Sequence, residues 1–483
     1  TSGGAQQQGG GFGHGGGVGT VRKPSRQQLS NLVIGQQGNG ARMAVFRAFR
    51  LPFPLPGPLR RLRPRWSPLP LLAVLVLLPG CQQPSREVLH LYIVPTSTTT
   101  SSTLSGVSVD NSSQLAAPVI KAFRRLHPTV RLHVQVVHES RLEGNLRQAH
   151  RRGLGPDLLL LSSSRAMTLH RKGLIDSVPC TAASRELEAS ILPQIKQHVR
   201  DQGALTSLPV ASEVSLACYD RQRVSAPPQT VEQLLALAAS GAPMGLALDP
   251  VGLWWTVGAF GATEAVVPVV FGGTPASSGS VGKARRPLQA LEPWLEWLRQ
   301  AGLQSRVDVA NNQEELLSGL IAGRLAWVPC YSPYLQSLGQ QMGDRLGVSA
   351  LPAGPAGPAS PYVAVRGWAF GRDSSPRQRQ LAGELALLSL NPMLQRQITL
   401  ANQSTLPVNA RVSVPFADSG RLAALGQAQQ QVLANSRVLA LPFSADRLDT
   451  MAQRIGELVF EVITGVLSPR QGAEALLKLE RRP

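Results

Sequence analysis

Residues 153–167 read GLGPDLLLLSSSRAM, and the order of chemistry along them decides the fold. Gly153, Gly155 and Pro156 break regular structure, and Asp157 is a turn or cap residue beside them. Leu158 to Leu161 form a short, unbroken apolar run, which predicts a strand buried on both faces. A polar segment follows at once. Working back from this strand, a helix is expected over about 144–152. Before it, VRLHVQVV reads as a strand with Leu132, Val134 and Val136 turned inward and His133 and His138 on the exposed side. Earlier still, QLAAPVIKAFRRLH places Leu115, Val119, Ile120, Phe123 and Leu126 on one helical face. His127-Pro128 ends that helix, and VLHLYIV at 88–94 is the first strand. Strand, helix, strand, helix, strand at this spacing predicts an open, mostly parallel α/β sheet. Downstream, VEQLLALAAS, LEPWLEWLRQAG, QRQLAGELALLSL and LDTMAQRIGELVFEVITG carry amphipathic helical spacing. Trp294 lies on such a face and is expected in the core, as is Trp327.

The N-terminal segment has another logic. The apolar run from Leu69 to Leu78 is shorter than the about 20 residues of a spanning helix and within the about 7–15 of a secretory h-region. Arginines precede it, no acid occurs before Glu87, and LPGC closes it. This order resembles the lipobox of bacterial lipoproteins, which implies lipidation of Cys81. Pro79 departs from the usual small or aliphatic residue there, and an ordinary cleaved signal is the alternative. Residues 43–80 are thus expected to be a signal peptide and 81–86 a tether. Residues 1–42, rich in Gly and Gln, cannot bury a core and read as an over-extended start ahead of Met43.

The formal charge of +19 shrinks accordingly. Ten Lys and Arg and no acids precede Cys81, which leaves +9 on residues 81–483. Such a balance admits an acidic ligand or an anionic surface. The basic residues form no patch interleaved with aromatics, so no nucleic-acid partner is expected. Cys180, Cys218 and Cys330 have neither CxxC nor zinc spacing. Buried free thiols are the expectation, with one disulfide plus a free thiol as the alternative. No GxSxG, HExxH or GxxxxGK[ST] occurs, so no enzyme, metal or cofactor is expected.

The segments AFRRLHPTVRLHVQVV, GLGPDLLLLSSSRAMTLHRKGLIDSVP, LTSLPVASEVSLACYDRQRV, LLSGLIAGRLAWVPCYSPY, SPYVAVRGWAFGRDSS and STLPVNARV follow one another in an order that resembles the extracellular solute-binding proteins of bacterial ABC importers. The likeness is to the maltodextrin-like sugar-binding group. It implies the two-lobe periplasmic-binding-protein fold (type II), each lobe an open, mostly parallel sheet flanked by helices, joined by a hinge. Residues 87–214 with 367–405 would form lobe 1, and 220–365 with 408–480 lobe 2. It further implies a periplasmic, membrane-anchored, monomeric receptor that delivers a di- or oligosaccharide or glycoside to an inner-membrane permease. Carried over by position, the site residues are Ser164, Arg165, Glu213, Trp254, Trp255, Tyr331, Tyr334 and Trp368. An acid of the maltodextrin binders is replaced at Ser164, and an aromatic falls on Leu161, which argues against a long maltodextrin. Packing in the core is the alternative for Trp254 and Trp255, and a solvated surface position for Arg165. The Thr96 to Ser102 loop offers hydroxyls. A phosphorylated or glycerol-phosphate ligand would suit Arg165 and the basic balance; a polyamine would have only Glu213 and Asp249 to meet it.

Overall fold

Among the described residues eleven strands organise the fold: β1 (Val88–Ile93), β2 (Arg131–Val136), β3 (Leu158–Ser162), β4 (Arg200–Asp201), β5 (Ala204–Leu205), β6 (Leu208–Asp220), β7 (Met244–Ala247), β8 (Val307–Ala310), β9 (Trp327–Tyr331), β10 (Leu346–Ser349) and β11 (Val363–Phe370). The computed structural model describes residues 87–95, 111–271, 285–435 and 445–479, all within the compact unit Cys81–Pro483. The signal, Cys81, the tether and the Thr96 to Ser102 loop lie outside the described residues.

Nine strands make one sheet in the order β2-β1-β3-β11-β6-β9-β7-β8, with β10 also on β6. β1, β2 and β3 run parallel, and so do β7, β8 and β9. Between these two sets lie β11 and β6. β11 is antiparallel to β3 and to β6, and β6 is antiparallel to β9. β6 has 13 residues, all buried. Its first half pairs with β11 and its second half with β9 and β10, so one strand serves both parallel sets.

β3 is buried on both faces, as its leucine run predicts. Leu158 and Leu160 pack in one apolar cluster with Leu89, Leu91 and Phe123. Leu159 and Leu161 pack in another with Leu142, Leu146 and Leu169. Asp157 holds the start of the strand: its Oδ2 accepts the His90 amide at 2.8 Å and its Oδ1 the Ser374 hydroxyl at 2.6 Å.

Three expectations fail here for physical reasons. Val134 and Val136 are 37% and 51% exposed, and only Leu132 packs inward. β2 is an edge strand paired to β1 alone, and the helix Asn111–Leu126 packs over β3 and the helices Pro376–Leu388 and Pro392–Asn402. Leu126, at that helix's last residue, is likewise exposed. The second helix is Glu139–His150 rather than about 144–152.

The thiol expectation fails too: Cys218 and Cys330 form a disulfide, Cα to Cα 5.7 Å, and Cys180 is exposed. Cys218 pairs with Val328 and Cys330 with Leu216 across β6 and β9, so the two cysteines are diagonal neighbours.

The five indoles Trp254, Trp255, Trp294, Trp297 and Trp327 share one core cluster with the helices Arg285–Gly302, Ala445–Ile463 and Pro469–Leu479. The Trp294 indole donates to Thr256 Oγ1 at 2.7 Å. Trp255 meets Trp297 and Trp327 edge-on, at 6.0 and 6.1 Å between ring centroids, a favoured aromatic arrangement.

His198 is buried between the turn Pro193–Lys196 and β4, and burial lowers its pKa to about 4. The unfolded chain binds a proton at an ordinary pH near 6.5 that the folded chain refuses. Stability is therefore full above about pH 6.5 and falls as pH drops towards 4, by about 3 kcal/mol. Urea midpoints at pH 7 and 4.5 should show this slope, and His198→Phe should flatten it; an equal slope in the variant would rule out His198 as its source.

Candidate functional site

In open α/β sheets ligands bind beyond the carboxyl ends of the parallel strands. Here those ends carry two features.

The first is a buried polar cluster where β6 and β11 cross. Glu213 on β6 is 0% exposed. The Tyr331 hydroxyl, at the end of β9, donates to Glu213 Oε2 at 2.9 Å. Tyr362 stands edge-on to Tyr331 at 5.9 Å, and Ser332 Oγ accepts the Val214 amide at 3.1 Å. Burial first, then the Glu213 charge, push the Tyr331 pKa well above its ordinary value, with Arg366 opposing. The phenol therefore stays protonated and donating. Arg366 is one diagonal step from Glu213, because Ala364 pairs with Glu213 and Arg366 with Ala211. Its Nη2 donates to the Val94 carbonyl after β1 and to Ser112 Oγ at 2.7 Å.

The second is a cavity of about 620 Å³ beyond β7 and β8, bordered by Leu248, Asp249, Asn311, Gln453, Glu457 and Phe460. Asp249 Oδ1 caps the helix Pro250–Ala259 by accepting the Gly252 amide at 3.0 Å, with proline in the first turn, the expected start for such a helix. Gln453 donates to Glu457 at 2.9 Å. The Phe460 ring is half exposed. One apolar ring facing carboxylates and amides suits a ligand with C–H faces and hydroxyls. A further cavity of about 510 Å³, by Arg171, Lys196, Arg200 and Asp201, lies at the far end of the helix Ser163–Arg171 from the β3 carboxyl end.

The sequence-predicted residues divide. Glu213 and Tyr331 come together at the crossing. Tyr334 is buried and donates to Glu314 Oε1 at 2.7 Å. Ser164 is half-buried, its hydroxyl 3.2 Å from that of Ser162. Arg165, also half-buried, is ion-paired with Glu139. Trp254 and Trp255 take packing positions in the core, 4% and 0% exposed. Trp368 is 0% exposed and donates to Ser389 Oγ at 2.8 Å. His133 and His138 are exposed. Sequence reasoning passed over Arg366, Tyr362 and the cavity's Asn311, Gln453, Glu457 and Phe460. Arg366 had a signal: a lone charge inside the apolar strand VAVRGWAF. The cavity residues had none, since they come from segments far apart in the chain.

The chain matches no protein-family model and no curated protein sequence. Solved structures do resemble it. The GacH receptor of Streptomyces glaucescens GLA.O, solved unliganded and with acarbose, has TM-score 0.62 at 15% identity, covering 82% of this chain and 98% of its own. A cyclo/maltodextrin-binding protein complexed with maltotetraose has TM-score 0.60 at 16%, covering 81% and 96%. The Thermus thermophilus maltotriose binding protein has TM-score 0.59 at 16%, covering 81% and 99%. The chain thus has the mixed α/β fold, a large sheet flanked by helices, of these binding proteins. At this identity the likeness is one of fold, over nearly the full length of each neighbour.

Proposed function

We propose that the chain is the substrate-binding component of an ABC importer, which captures a di- or oligosaccharide or glycoside between two lobes and hands it to a permease. The observation that carries this is the near full-length fold likeness to three proteins solved with acarbose, maltotetraose or maltotriose. The cavity beyond β7 and β8, lined wholly from 220–365 and 408–480, would be the second lobe's share of the site. Residues 87–214 with 367–405 would move against 220–365 with 408–480, hinged where β6 and β11 pass between the parallel sets, and closure would shift the population onto the liganded form. Capture needs no chemistry, so the protein is not an enzyme. The Cys218–Cys330 disulfide supports an oxidising compartment outside the cytoplasm. Among the described residues no helix is long and apolar enough to cross a membrane; attachment would come from lipid on Cys81, with the receptor a monomer.

Calorimetric titration of the full chain with maltose, maltotriose and acarbose tests this. At least one should bind, and Asp249→Asn should weaken it about tenfold by removing a charge-assisted hydrogen bond. Asparagine caps as well as aspartate, so the helix Pro250–Ala259 survives the change. Binding of none of these, or of any other sugar, neutral or anionic, in a wider panel would sink the sugar reading.

A further inference from the structure

We infer that the ligand carries an oxyanion, a phosphate or carboxylate group, seated on Arg366 at the first turn of the helix Asn111–Leu126; this rests on the receptor reading above and deepens it. Arg366 is 2% exposed. Of its donors, Nη2 bonds one carbonyl and one hydroxyl, and Nε has no partner. None of the ion pairs among the described residues includes Arg366. A guanidinium taken out of water without a carboxylate is costly, and an uncharged carbonyl and hydroxyl offset only part of that cost. An oxyanion oxygen accepting from the unpartnered Nε–H is the partner the guanidinium lacks.

The surroundings favour the same charge. Ser112, which Nη2 reaches, lies in the first turn of a 16-residue helix with no acid in that turn. Ser162 pairs directly with Arg366 across β3 and β11 and caps the nine-residue helix Ser163–Arg171. The N-terminus of the helix Ser163–Arg171, with no acid in its first turn, thus flanks the guanidinium, while the helix Asn111–Leu126 follows directly on Asp110 in the sequence. Opposing this, the buried Glu213 carboxylate lies one diagonal step away, with its Oε2 accepting from Tyr331. Arg165, the sequence's first candidate for an anion, is neutralised by Glu139. The +9 balance of residues 81–483 draws anions towards the protein. The lobe opening that capture requires gives the ligand its way in.

The full chain is titrated at low salt with maltose, maltose 1-phosphate, glucose, glucuronic acid and inorganic phosphate, as wild type and as Arg366→Gln. The anionic sugar of one kind or the other should bind about tenfold tighter than its neutral counterpart, the difference expected for one charge-assisted hydrogen bond. In Arg366→Gln that ratio should fall to about one. Preference for maltose 1-phosphate identifies the phosphate source and preference for glucuronic acid the carboxylate. A ratio near one in the wild type, or one that survives Arg366→Gln, overturns the inference and leaves Arg366 a structural residue. If no sugar binds but phosphate raises the melting temperature of the wild type alone, the oxyanion seat stands and the sugar reading falls. If neutral sugar binds and no anion does, the reverse holds. Should Arg366→Gln fail to fold, Ser112→Ala is read in its place, with a severalfold loss of the anion preference expected and an unchanged preference counting against the seat.

Discussion

Replacing Cys218 and Cys330 together by alanine lowers the unfolding free energy by about 4 kcal/mol. The bridge closes a loop of 112 residues, and in the chain-entropy account a loop of roughly that length restricts the unfolded chain by about 4–5 kcal/mol. The native side of the balance changes little. Both cysteines are 0% exposed, and the β6–β9 ladder from Ser215 to Tyr219 keeps its hydrogen bonds without them. Urea midpoints of the oxidised protein and the double variant measure the difference. A loss below about 1 kcal/mol would mean that the loop is already constrained in the unfolded state.

Trp255→Ala should cost about 4 kcal/mol, within the range for removing a large aromatic from a packed core. The ring is 0% exposed and meets Trp297 and Trp327 edge-on. Removing it leaves a void between a helix and a strand that the remaining backbone holds apart. Trp255→Phe keeps most of the volume and should cost less than half as much. Thermal or urea unfolding of both variants decides the matter. A Trp255→Ala protein as stable as the wild type would return this indole to the candidates for stacking on a ligand.

What the sequence made legible is what local pattern encodes. Leu158 to Leu161 announced a strand buried on both faces because four consecutive apolar residues leave no polar face to turn outward. The long amphipathic helices were legible for a similar reason. β2 was misread because its alternation is real but its position at a sheet edge is set by which strands pair, a long-range fact. The cysteines were misread because their meeting depends on the register of β6 against β9. For the site, resemblance to a family named Glu213 and Tyr331, and the fold joins the two by a hydrogen bond. Trp254, Trp255 and Trp368 show the limit of that route: a ring at a matching position can turn to either side of its element, and packing decides which. The cavity beyond β7 and β8 draws on residues from Leu248 to Phe460, a set that only the folded chain assembles.

The placement of β11 bears on how the protein is made. β11 fills the gap between β3 and β6, yet it is synthesised after β7, β8, β9 and β10. Emerging from the ribosome, β3 has no neighbour on that flank until residues 363–370 are translated. Such a distant pairing slows folding and keeps the growing polypeptide incompletely folded through most of its synthesis.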